Sequence, residues 1–182
     1  MRLTRHVDLA LRTLMYLGLH DDRVCTIAEI AAAYGISENH LMKVVHRLGV
    51  RGLVQTVRGR GGGLRLAVAP ADIGIGRVVR LLEDDLGLVE CFDGRTNTCP
   101  IAGACALTGI LDEALDAFLG VLDRHSVADL LSSRGALLRR LEAADRMVVG
   151  RRDGARMRSA RAPVVTGGRR AAPPRARRPR RD

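Results

Sequence analysis

Apolar residues recur at helical spacing from residue 4 to residue 20, where Val7, Leu11, Leu14 and Met15, with Leu9, Tyr16 and Leu19, make one broad surface. This predicts a first helix with Thr4 as its cap. Thr26 and Glu29 have capping-box spacing and open a short second helix, IAEIAAAYG, which Gly35 ends in a left-handed conformation. Ser37 caps a third helix, ENHLMKVVHRLGVRG, with Leu41, Val44, Val45 and Leu48 facing inward and Gly52 as its stop. The period then changes to two: LVQTVR and LRLAVA read as strands around the tip Gly59-Arg60-Gly61-Gly62-Gly63. Pro70 closes this hairpin. Helical spacing returns in IGIGRVVRLLEDD, with Ile75, Val78, Val79 and Leu82 on one side. A long helix follows from about Ala104 to His125, where Leu107, Ile110, Leu111, Ala114, Leu115, Phe118 and Leu122 form a stripe of near-heptad spacing. Ser126 caps a short helix, SVADLLS, and GALLRRLEAADRM adds one or two further turns.

The fold class is mainly α with a small β-hairpin. Two short helices joined by Tyr-Gly-Ile make a helix-turn-helix, whose second helix enters the DNA major groove and meets base edges near its N-terminus. Those residues are Ser37, Glu38, Asn39 and His40, with Lys43 one turn on. The hairpin carries Arg58, Arg60 and Arg65, and a basic hairpin after a helix-turn-helix is a winged helix. Glycine keeps the tip thin, so arginine reaches phosphates or the minor groove. The run GRGGG is no nucleotide cradle, because it lies between strands and lacks the Gly-Lys-Ser/Thr ending. The long helix has more apolar surface than one neighbour covers in so small a chain, so it is expected to dimerise.

Hydrophobic residues are 47% of the chain and aromatics 2%, so the core is built from Leu, Val, Ile and Ala. The net charge of +10 is unevenly placed. Residues 1–65 hold ten basic and five acidic side chains, whereas residues 66–145 hold seven and thirteen. Residues 146–182 hold thirteen Arg and two acids. The first third and the tail thus attract a polyanion, and the middle repels one. Three segments follow: a DNA-binding domain at 1–70, a cysteine loop and dimerisation helix at 71–145, and a tail at 146–182. The tail's Arg, Ala, Pro and Gly cannot offset their ordering entropy, so disorder is expected. It serves either as a solvated extension or as a salt-sensitive attractor of phosphate. No apolar run reaches membrane-spanning length and the N-terminus lacks a signal-peptide pattern, so a cytoplasmic protein is expected. Metalloprotease, nucleophile-elbow and dinucleotide motifs are absent, which speaks against an enzyme.

Three of the four cysteines, Cys91, Cys99 and Cys105, fall in CFDGRTNTCPIAGAC, with seven and then five residues between them. Gly94, Asn97, Pro100 and Gly103 make this stretch a loop. Three thiolates are a soft donor set suited to zinc or an iron–sulfur cluster, although the spacing is not that of paired Cys-x-x-Cys modules. A metal or cluster site is the favoured reading; a thiol redox switch and incidental cysteines stay open. No fourth ligand lies nearby. Asp8, in the first turn of the first helix, is either a charge favoured by the helix N-terminus or an oxygen ligand. Cys25 has no cysteine neighbour and reads as a small apolar residue.

Over about residues 1–140 the chain resembles the NsrR/IscR family of dimeric iron–sulfur winged-helix transcriptional regulators. The resemblance rests on MRLTRHVDLALRTLMYL, SENHLMKVVHRL, VRGRGGGLRLA, IGRVVRLLE, HSVADLL and the three cysteines ahead of the long helix. It is strongest to the nitric-oxide-sensitive repressors of that family. The resemblance implies that Cys91, Cys99 and Cys105 hold a cluster, 4Fe–4S or alternatively 2Fe–2S. It implies Asp8 as fourth ligand, reaching across from the other subunit, with His6 a weaker candidate. Another branch places a histidine three residues after the last cysteine; Thr108 stands there, which argues against that branch. The first cysteine gap is wider than is usual in the family. The implied function is repression of nitric-oxide detoxification genes by a homodimer on a pseudo-palindromic operator, with nitric oxide as the signal.

Overall fold

The computed structural model describes residues 3–144, so the Arg-rich tail expected at 146–182 lies outside the described residues. The first helix, α1 (Arg5–Leu19), is the centre of the packing, with Val7, Leu14 and Leu17 buried. Its buried Thr13 hydroxyl donates to the Leu9 carbonyl oxygen at 2.7 Å, one turn back in the same helix. Thr4 stands at the N-cap but makes no side-chain cap bond. Its hydroxyl donates instead to Glu83 Oε2 at 2.8 Å, and its N–H reaches the same carboxylate at 3.2 Å. A charged acceptor makes the stronger hydrogen bond, so the hydroxyl leaves its helix.

The helix-turn-helix forms as its local signals require. Before α2 (Ile27–Tyr34), the Glu29 N–H donates to Thr26 Oγ1 at 3.1 Å and the Thr26 N–H donates to Glu29 Oε2 at 2.6 Å. Gly35 has φ 63°, and the N–H groups of Gly35 and Ile36 return to the carbonyls of Ala32 and Ala31. In α3 (Glu38–Val50), Leu41, Val44, Val45 and Leu48 are buried. Ser37 occupies the N-cap with extended backbone, but its hydroxyl makes no cap bond.

Strand β1 (Val54–Val57) pairs antiparallel with β2 (Gly63–Leu66), from Val54 opposite Leu66 to Val57 opposite Gly63. Cys25 extends this ladder: its N–H donates to the Leu64 carbonyl at 2.9 Å and its carbonyl accepts from the Leu64 N–H at 2.7 Å. A side chain at Gly63 would collide with the Cys25 carbonyl, so only glycine lets β2 lie so close.

After a 3-10 turn at Pro70–Asp72 comes α4 (Ile75–Leu82), with Ile75, Val78, Val79 and Leu82 buried. It packs on α5 (Ala106–Asp123), and α6 (Val127–Leu130) follows. Arg80 grips Asp123 through two bonds of 2.6 and 2.7 Å, which hold the Asp123 carboxyl below its ordinary range. The core runs unbroken from Val7 to Val127 and includes residues on both sides of position 70.

Two expectations change here. The apolar stripe of α5 is two stripes. Leu111, Leu115, Phe118 and Leu122 are partly buried and Leu119 is buried, whereas Leu107, Ile110, Ala114, Ala117 and Val121 face outward and are exposed. At about 100° per residue the two sets lie on adjacent faces, which a single list of apolar positions merges. The chain is also helical over 134–144 (α7), longer than the one or two turns expected. Arg134 anchors its start, donating to the Gly18 carbonyl at 3.1 Å and to Asp21 Oδ1 at 2.9 Å, while Leu141 packs on the core.

Candidate DNA interface and cysteine site

The inward leucines and valines of α3 fix which residues it shows to solvent. Ser37, Glu38, Asn39, His40 and Lys43 are all exposed, and His46 extends the same face one turn beyond Lys43. Sequence reasoning did not name His46 for this face, although its spacing from Lys43 was the signal for it. At the hairpin tip, Gly59 and Gly61 have φ of 102° and 79°, so the chain turns sharply on either side of Arg60. Arg58, Arg60 and Arg65 on the hairpin are exposed. None of Lys43, Arg58, Arg60 or Arg65 forms an ion pair with a described residue. Their charge is therefore available to an outside anion.

The cysteines divide into one and three. Cys25 is fully buried, and burial pushes its thiol up, which keeps it protonated and inert. Cys91, Cys99 and Cys105 are free thiols of intermediate exposure. Cys105 is the N-cap residue of α5, with no side-chain cap bond there. Cys91 lies in a short 3-10 turn, Glu90–Phe92, and its Sγ stands 3.2 Å from Oγ1 of Thr108, the third residue of α5. Two of the three cysteines thus meet the first turn of α5. Cys99 sits apart, in a turn whose Asn97 Oδ1 accepts the Cys99 N–H at 2.9 Å. Beside Cys91 an open cleft of about 690 Å³ is lined by Asp84, Asp85, Glu90 and Asp93.

Asp8 is on the outer side of α1, where its Oδ1 accepts from Arg12 Nε at 2.9 Å; both side chains are about half exposed. The Arg12 guanidinium also lies 5.8 Å from the Tyr34 ring centroid, and burial pushes the Tyr34 phenol up to about 12. Asp8 and Arg12 line an open groove of about 790 Å³ that also includes Leu3, Leu9 and Ile36. Among the described residues no three His, Cys, Asp or Glu side chains come together as a metal site, so within one chain Asp8 and the cysteines are not assembled. The donor set itself fits a soft metal or an iron–sulfur cluster: three free thiols on a flexible-geometry loop, two of them at a helix N-terminus. Sequence reasoning missed the Thr108 contact, although a hydroxyl three residues after a cysteine N-cap was there to be noticed.

A helix-turn-helix with a polar outward recognition helix and a basic, glycine-tipped hairpin defines a winged-helix transcriptional regulator. The Rrf2 family, described as an iron-dependent transcriptional regulator, matches residues 3–133. The chain belongs to the Rrf2 family. It is 47% identical to the HTH-type transcriptional regulator NsrR of Bacillus subtilis over 143 residues, 78% of this chain and 98% of the relative. It is 51% identical to the NsrR of Geobacillus kaustophilus over 138 residues, 75% of this chain and 94% of the relative. Among solved structures it is similar to CymR, the global cysteine regulator of B. subtilis, with TM-score 0.61 and 25% identity over 73% of this chain and 98% of that one. These relatives are transcriptional regulators and not enzymes, and the expected resemblance and fold class hold. No helix among the described residues is long and apolar enough to cross a membrane.

Proposed function

We propose that the chain is a cytoplasmic, homodimeric repressor whose affinity for a pseudo-palindromic double-stranded operator is set by an iron–sulfur cluster that reacts with nitric oxide, and that it represses nitric-oxide detoxification genes. The observation that supports this best is the contact that draws Cys91 to α5 three residues beyond Cys105, next to the uncovered apolar seam of the same helix. In this reading residues 1–70 read DNA and residues 71–145 hold the metal and the dimer seam. Cys91, Cys99 and Cys105 are the cysteine ligands and Asp8, from across the dimer, is the fourth. The cluster is of 4Fe–4S type, and when bound it supplies iron that nitric oxide attacks. Asp8 accepts from Arg12 through Oδ1, so Arg12 orients the carboxylate while Oδ2 serves as the ligand oxygen. Arg12 in turn lies over Tyr34 at the end of α2, one residue before the turn into α3. Asp8 and Arg12 thus link the ligand position to the neighbourhood of the recognition helix. Cluster and operator must favour the same dimer geometry, so each strengthens the other's binding.

The test is anaerobic purification, iron analysis and visible absorption, followed by a DNA shift assay before and after nitric oxide. A brown, iron-loaded dimer that releases operator on exposure to nitric oxide is expected. A colourless protein that holds operator equally well afterwards would sink the proposal. The family's description as iron-dependent favours a second reading, an iron- or redox-sensing regulator with a 2Fe–2S cluster, which the absorption spectrum distinguishes.

The DNA face and the metal site should separate by mutation. Lys43→Ala on α3 and Arg60→Ala at the wing are each expected to weaken operator binding by roughly ten-fold, the size of one lost base or phosphate contact. The Arg60→Ala loss should shrink at high salt, and neither variant should change the visible spectrum. Asp8→Ala should do the reverse, speeding iron loss from a protein whose DNA face is intact.

A further inference from the structure

We propose that Thr108 is the positioning residue for Cys91, its hydroxyl pinning the first cysteine of the loop to the first turn of α5. This rests on the reading above that Cys91 is a metal ligand. A threonine inside a helix ordinarily satisfies its hydroxyl on the carbonyl four residues back, as Thr13 does on Leu9 at 2.7 Å. Thr108, the third residue of α5, has no helical carbonyl four residues back, because Ala104 precedes the N-cap Cys105. Its hydroxyl leaves α5 and meets a sulfur seventeen residues earlier in the chain, at 3.2 Å. No regular secondary structure other than the 3-10 turn at Glu90–Phe92 holds residues 84–105, so this contact is the side-chain tie between Cys91 and a rigid element.

The direction of the bond follows from the chemistry of the sulfur. A metal ligand cysteine is deprotonated and offers no hydrogen, so the Thr108 hydroxyl is then the donor. A hydrogen bond donated to a ligand sulfur withdraws electron density from it. Such bonds orient the ligand, slow metal loss and raise the reduction potential of the centre. Cys105 needs no comparable tie, because as the N-cap of α5 it is fixed by the helix itself. Thr108 thus does for a distant cysteine what the backbone does for an adjacent one.

Thr108→Val keeps the shape and removes the donor; Thr108→Ser keeps the donor and removes the methyl. In the metal-free, reduced full chain, hydrogen exchange over residues 88–96 should be about five-fold faster in Thr108→Val, the scale of one hydrogen bond. Residues 97–104 should be unchanged, and Thr108→Ser should match the parent. In the reconstituted protein Thr108→Val should lose iron to a chelator roughly ten-fold faster, with a lower midpoint potential, and Thr108→Ser should restore both. Unchanged exchange over 88–96 overturns the proposal whether or not iron binds. Faster exchange with unchanged iron release and potential overturns the claim that the tie serves the metal. Faster exchange in a chain that takes up no iron at all upholds the tie and defeats the cluster reading instead.

Discussion

Ile110→Lys is expected to convert the proposed homodimer to a monomer and to remove at least about a hundred-fold of operator affinity, because the second half-site is then no longer delivered at high effective concentration. Ile110 is 61% exposed and Leu107 54%, and they continue through Ala114, Ala117 and Val121. These residues recur at i, i+3, i+7, i+10 and i+14, the spacing of a seam between two helices. In a two-fold dimer each outward Ile110 meets the partner's copy of the same face, so a lysine there brings like charges together in a desolvated strip. In the monomer the same lysine stands in water and costs little. Sedimentation should therefore show half the mass while thermal stability at low concentration stays near that of the parent. A lysine variant that remains dimeric places the interface elsewhere on the surface.

Leu14→Ala is expected to destabilise the protein's centre without touching any surface. Leu14 is fully buried on α1, the helix that touches α3, α4, α6 and β2. Removing three methyl and methylene groups' worth of packing there costs about 2–5 kcal/mol. For a chain of this size that lowers the melting temperature by roughly 10 °C. The informative control is Leu107→Ala, the same substitution on the outward face of α5. It should leave the isolated chain's melting temperature unchanged and weaken only association. Calorimetry of both variants below the association concentration separates the two leucines.

The parts of this fold that were legible in the sequence are those whose causes are local. Thr26 with Glu29, Gly35 in the left-handed region and the glycines around Arg60 each act within a few residues, so the helix-turn-helix and wing stand where they were expected. Thr4 was misread because its competitor, Glu83, is 79 residues away, and no local rule weighs an N-cap against a distant carboxylate. The α5 stripe was seen but not divided, because the division depends on which side α4 occupies, and that is a tertiary fact. The last helix, 134–144, was shortened for the same reason: Arg134 is anchored on Gly18 and Asp21 from the far end of the chain. The cysteine loop is the opposite case. The kind of chemistry was readable from three soft donors, yet their arrangement was not, since turns such as that at Glu90–Phe92 leave a loop's path to whatever it holds.

The fourth sulfur supplies an internal gauge. Cys25 lies beneath the hairpin, sealed by its backbone bonds to Leu64 and kept protonated by burial, while the other three thiols meet solvent. A mild alkylating reagent will therefore stop at three adducts on the metal-free folded chain. A fourth adduct forms only when the core around Cys25 opens, so the mass of the labelled protein reports that opening directly.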